Sequence, residues 1–125
     1  MVKLLSAVTI IQLQKLTISN NDTIVLLALN QLLEINKNSK QELLKTLDTL
    51  IDEKKLSKRN DELLKIKKSL LIFDKATENE MLNLLDIGNK DFSFRKISLQ
   101  ILYDFHLSKN QKIKAEEIKG LINEN

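Results

Sequence analysis

Histidine occurs once in this chain of 125 residues, at His106, and cysteine does not occur. Those two counts remove much side-chain chemistry. Thiol nucleophiles, disulfides and cysteine-ligated zinc are excluded. A metal held through His106 needs further ligands at suitable spacing, and only carboxylates remain to supply them. Next to Phe105 on a helical pattern, His106 reads as a surface or half-buried side chain. Glycine is confined to Gly88 and Gly120, so there is no glycine-rich phosphate loop. No Ser, His and Asp arrangement stands out. Glu78 with Glu80 and Glu116 with Glu117 are acidic pairs at the wrong spacing for a shared helix face. Near a helix start such pairs serve caps and the helix dipole. The expectation is a protein that is not an enzyme, with no catalytic residue, metal or cofactor.

Two stretches point to binding instead. Lys54, Lys55, Lys58, Arg59, Lys65, Lys67 and Lys68 stand against only Asp61 and Glu62. Such a cluster suits phosphate contact and salt-sensitive nucleic-acid binding. It holds one arginine and no interleaved aromatic for base stacking, so a solvated helical face explains it equally. The first segment, with Leu4, Leu5, Val8, Ile11 and their neighbours Ile10 and Leu13, is more apolar than an outer helix requires. It either packs deeply or meets a protein partner or a second copy of the chain.

The elements that position these residues are helices. The chain has no proline, is 42% hydrophobic and 30% charged, and carries a formal charge of +3. This length suits one domain, residues 1–125, and few residues interrupt helices. We expect an all-α fold of about seven helices. The first runs from Val2 to Leu16. Its start, Met1-Val2-Lys3 followed by an apolar run, has the rough shape of a secretory signal but lacks a small-residue cleavage site, and an amphipathic helix is preferred. Thr23 to Ile35 is apolar on nearly every side, which predicts a central helix around which the others pack. It is too short to span a bilayer. Asn21 or Asp22 can cap it.

Ser39-Lys40-Gln41-Glu42 and Thr77-Glu78-Asn79-Glu80 both have the form of a capping box. The first opens a helix with Leu43, Leu44, Leu47, Leu50 and Ile51 at helical spacing. A fourth helix starts near Asn60 or Asp61, with Leu63, Ile66, Leu70 and Phe73 as its apolar stripe. A fifth carries Met81, Leu82, Leu84 and Leu85 and stops at a left-handed cap near Gly88-Asn89. Ser93 caps a sixth, with Phe94, Ile97, Ile101, Leu102 and Phe105 inward. The last spans Lys114 to Ile122, anchored by Ile118, Leu121 and Ile122. Phe92, Phe94, Tyr103 and Phe105 read as core aromatics.

Sliding the chain by 38 residues superimposes Leu32–Leu44 on Leu70–Leu82, matching leucine pairs, capping hydroxyl and box glutamate. Periods near 40 characterise stacked helical hairpins. Residues 81–102 resemble a HEAT/armadillo-like helical repeat. Asp91, Arg95, Ser98 and Leu102 occupy that family's Asp, Arg, small and leucine positions. The resemblance implies that Asp91 and Arg95 are structural, linking neighbouring turns. No proline shapes the first helix, and the other two units lack the Asp–Arg pair. The same segment is similar to the helical N-terminal domain of transcription elongation factors, without that domain's tryptophan and glycine.

The expected architecture is therefore a HEAT-like stack of helical hairpins, with a compact helical bundle as the alternative. The expected function is a non-catalytic protein-interaction module: a small adaptor, scaffold or regulatory subunit. Two alternatives are a nucleic-acid-associated factor binding through Lys54 to Lys68, and a small immunity or antitoxin-type protein. The absence of cysteine fits a cytoplasmic setting, and the basic charge is also compatible with a nuclear one.

Overall fold

The computed structural model describes residues 21–35, 40–53 and 56–124, and they form six helices with no strand among them. They are α1 (Asp22–Ile35), α2 (Lys40–Glu53), α3 (Lys58–Ile72), α4 (Glu78–Leu85), α5 (Arg95–Ser108) and α6 (Lys112–Asn123). The expected helix over Val2 to Leu16, the interface residues Leu4, Leu5, Val8 and Ile11, the cap Ser39 and the basic pair Lys54 and Lys55 lie outside the described residues. The chain divides into two compact units, Met1–Asp61 and Glu62–Asn125.

In the first unit α1 starts on Asn21, whose Oδ1 accepts from the amides of Thr23 (2.9 Å) and Ile24 (3.4 Å). That satisfies two of the donors a helix start leaves orphaned. Val25, Ala28 and Leu29 are buried, a stripe at i, i+3, i+4 spacing. On α2 the buried set is Leu43, Leu47 and Leu50. The expectation that α1 is buried on every side does not hold. Leu27 is 59% exposed and Ile24 also faces outward. High hydropathy all round does not require burial all round, and over residues 21–31 the packing encloses the stripe of Val25, Ala28 and Leu29.

α3 opens earlier than its sequence suggests. Ser57, just before Lys58, accepts from the Asp61 amide through its carbonyl (2.9 Å) and from the Asn60 amide through Oγ (3.4 Å). Lys58 and Arg59 are thus in the first turn of the helix, ahead of the expected start near Asn60 or Asp61. The buried positions are Glu62, Leu64, Ile66 and Ser69. Leu70, expected inward, is 56% exposed. The alternative stripe 62, 66, 69 also passes through Ile66, and packing selects it although it carries two polar residues. Leu64 lies about 160° around the helix from Ile66 at 100° per residue and is also fully buried, so α3 is covered on two faces.

In the second unit the turn after α3 closes with Ala76 N–H on Ile72 O (2.8 Å). The capping box at Thr77 then forms as expected. Glu80 N donates to Thr77 Oγ1 (3.2 Å), and Thr77 N donates to Glu80 Oε1 (3.1 Å). α4 ends at Leu85, and the left-handed position is Asp86 (φ 46°), not Gly88 or Asn89; neither glycine has positive φ. Its amide donates to Leu82 O (3.0 Å), completing the cap. Leu85 is the last α4 side chain in the core, and the chain must leave the axis there to bring Phe92 inward.

α5 packs on both α4 and α6. Its buried positions are Ser98, Leu99, Ile101, Leu102, Phe105 and His106, while Ile97, expected inward, is exposed. Phe105 is the largest fully buried side chain, and the Phe73 ring meets it edge-on at 5.6 Å and 89°. Phe92 is buried, and Phe94 and Tyr103 are partly buried against the same cluster, so the four aromatics belong to the core as expected. Burying Leu99, Leu102 and Phe105 contributes about 1.5–3 kcal/mol each. Asn110, in the left-handed region (φ 58°), turns the chain into α6, which begins at Lys112 and buries Ala115 and Ile118.

Candidate functional site

Of the basic cluster expected over Lys54 to Lys68, the described members all lie on α3, where Lys58 and Arg59 are exposed and Lys65, Lys67 and Lys68 are half-buried. At 100° per residue, Lys58, Lys65 and Lys68 share one flank, whereas Arg59 and Lys67 point elsewhere. Each of the five also engages another group of the chain. Burial lowers the Lys67 ammonium pKa, because the charged form loses hydration. The arrangement is a three-lysine flank rather than one continuous cationic face.

The polar groups the fold does bring together had little signature in the sequence. In the first unit, Asp22 in the first turn of α1 accepts through Oδ2 from Ser57 N (2.9 Å) and Asn60 Nδ2 (2.9 Å), at the start of α3. These bonds, the Ser57 amide first, hold the Asp22 carboxyl below its ordinary pKa. In the second unit, Glu62 on α3 is only 5% exposed. Its Oε1 accepts from Ser93 N (3.1 Å) and Ser93 Oγ (2.6 Å), just before α5. Ser93 therefore does not cap α5 as expected. The cap position is Phe94, without a side-chain bond, and the serine is drawn to Glu62 instead. Both carboxylates thus hold the serine that leads into the helix two places further on.

Arg95 Nε donates to Ile87 O (3.2 Å), tying the first turn of α5 to the loop after α4. In that loop Asp91 N donates to Asn89 Oδ1 (3.0 Å). Ser98 Oγ is buried and finds no hydrogen-bond partner among the described residues.

His106 departs from the surface or half-buried position expected of it: it is only 3% exposed. Nδ1 lies 2.9 Å from Gln111 Oε1, and Nε2 lies 3.9 Å from Glu78 Oε1. The other Glu78 oxygen accepts from Lys114 Nζ at 2.8 Å. That bond, with a smaller contribution from the nearby charges of Lys114 and His106, lowers the Glu78 pKa. The cluster is thus a histidine–glutamine contact beside a glutamate–lysine ion pair. Among the described residues no three His, Asp or Glu side chains converge as a metal site.

Exposed apolar side chains form the remaining candidate surface. In the second unit Leu107 and Ile113 flank the α5–α6 turn, and Ile113 is 79% exposed. A shallow depression beside it is lined by Lys112, Glu116 and Glu117. No helix of the described residues is long and apolar enough to cross a membrane. Comparison with protein-family models, with curated proteins and with solved structures returns no match.

Proposed function

We propose that this protein is a non-catalytic protein-binding module built as a HEAT-like stack of helical hairpins. The observation that carries the reading is the pair of carboxylate–serine latches. Asp22 near the start of α1 holds Ser57 at the start of α3, and Glu62 of α3 holds Ser93 before α5. Each latch, within its own compact unit, ties together residues at or near the beginnings of two alternate helices, a contact of the kind stacked hairpins make. Stacked hairpins present extended surfaces into which a partner helix or peptide lays an apolar stripe. Exposed Leu107 and Ile113 are side chains of the kind such a partner covers.

The test is capture of partners from native lysate after nuclease treatment, at low and moderate salt, with Ile113→Asp beside the unaltered chain. A protein that survives nuclease and salt, and is lost from the folded variant, supports the reading. Recovery of nucleic acid alone, vanishing with salt and with Lys58→Glu/Lys65→Glu/Lys68→Glu, overturns it in favour of the α3 lysine flank.

A further inference from the structure

Helix α6 turns one side to the core and the other to solvent. At 100° per residue, buried Ala115 and Ile118 lie about 200° and about 140° around the axis from Ile113. Ile113 therefore stands at the outermost point of the helix, and it is 79% exposed. Beside it on the same helix is a shallow depression of about 450 Å³, lined by Lys112, Ile113, Glu116 and Glu117. A projecting apolar side chain and a hollow thus share one surface. The charges along that surface are ordered. Lys112 and Lys114 flank Ile113, and Glu116 and Glu117 follow one turn on. All four of these charged residues are exposed.

We propose that this face of α6 binds a second copy of the chain, the two helices lying antiparallel about a twofold axis level with Ala115. An interface of that symmetry uses one patch twice, so whatever projects from the patch must fit a hollow in it. Turned end for end, each Ile113 comes level with Glu117 of the second copy and enters the depression there. Lys112 comes within about 3 Å, along the axis, of the level of Glu116 of the second copy, on the same flank. On the other flank Glu117 comes within one residue's rise of Lys114, whose Nζ also holds Glu78 Oε2 (2.8 Å). The twofold axis repeats both pairings around the two isoleucines. A parallel arrangement instead sets lysines against lysines and glutamates against glutamates. The opposite charge of the two ends of the patch is what selects a second copy over an apolar helix of arbitrary sequence. The proposal rests on the reading of Ile113 as a protein-contact side chain. One helix against one helix covers little surface, so the dimer is weak, with a Kd on the order of 100 μM.

Sedimentation equilibrium of the whole chain, from about 10 μM to about 1 mM, reads the association. The unaltered chain should pass from monomer to dimer, and should do so less readily when salt is raised from about 0.05 M to about 0.5 M. Ile113→Asp, at a solvent-facing position, should keep its helical circular dichroism and weaken association by about tenfold or more. Lys112→Glu and Glu116→Lys should each weaken self-association, because each sets like charges against each other. An equimolar mixture of the two should restore it, since the swapped charges then meet their opposites. A chain that stays monomeric to about 1 mM overturns the proposal. If Ile113→Asp nonetheless loses a protein captured from lysate, the protein-binding reading stands and only the second copy is excluded. Dimerisation that Ile113→Asp leaves intact, or a mixture no stronger than its two components alone, also overturns the proposal.

Discussion

Removing the buried carboxylate of Glu62 should destabilise the second unit through a bond network that no sequence pattern announces. Glu62 is 5% exposed, and one of its oxygens takes both the amide and the hydroxyl of Ser93, at 3.1 and 2.6 Å. Hydrogen bonds to a charged group each contribute about 1.5–3 kcal/mol net. Ser93 is itself exposed, so water replaces part of what it loses. The low end of that range then applies to each bond, and Glu62→Ala should cost about 3 kcal/mol. Glu62→Gln keeps the outline and one acceptor oxygen and should cost about 1 kcal/mol. Ser93→Ala deletes the hydroxyl bond alone and should cost about 1–1.5 kcal/mol. Urea denaturation followed by far-UV circular dichroism measures all three, and the double variant closes a thermodynamic cycle. Because both alanine changes remove the same bond, the cycle should return a coupling of about 1 kcal/mol. Costs for Glu62→Ala below about 0.5 kcal/mol, or strictly additive losses, would refute the latch as a source of stability.

Other outcomes follow from the same geometry. Ser98→Ala deletes a buried hydroxyl with no partner among the described residues, so it should be neutral or stabilising by up to about 1 kcal/mol in urea denaturation; a loss above about 1 kcal/mol contradicts it. Gly120→Ala in α6 should raise stability by about 0.5–1 kcal/mol, since nothing lies within 4 Å of the added Cβ; a lower melting temperature would count against that space being open. Asp22, Glu78 and Glu80 all have pKa values below the ordinary ones, so the native state binds protons less readily than the unfolded chain. Their contribution is complete above the ordinary values of 3.8 and 4.5 and is lost as pH falls through them to the lowered ones. Thermal melts between about pH 6 and pH 2.5 should therefore fall steeply at the acid end, and a flat profile would contradict the three bonded carboxylates.

What could be read from the residues was local. The box over Thr77 to Glu80 needs only four consecutive residues, and both of its bonds form. Asn21 likewise caps the helix that follows it. Helical periodicity gave the number and order of the described helices but not their orientation about the axis. In α3 the stripes through Leu63 and Leu70 and through Glu62 and Ser69 share Ile66, and hydropathy favours the wrong one. Tertiary packing selects the other because Glu62 has Ser93 to bond, 31 residues away, and Ser69 bonds Ile66 O at 2.6 Å. A comparable separation in sequence hid the neighbourhood of His106, which Glu78 approaches from another helix. The cap on Asp86 rather than Gly88 had no glycine to announce it, since aspartate reaches the left-handed region at modest cost.

Tyr103, partly buried against the Phe105 cluster, is the only tyrosine in a chain without tryptophan. Its emission is consequently a private optical signal of the second unit. Circular dichroism averages over every helix, whereas tyrosine fluorescence follows only the surroundings of one ring. Recording both on a single sample during heating separates the two compact units without any label. Coincident curves mean that the two units melt as one cooperative body. A fluorescence change displaced from the ellipticity change gives each its own melting temperature.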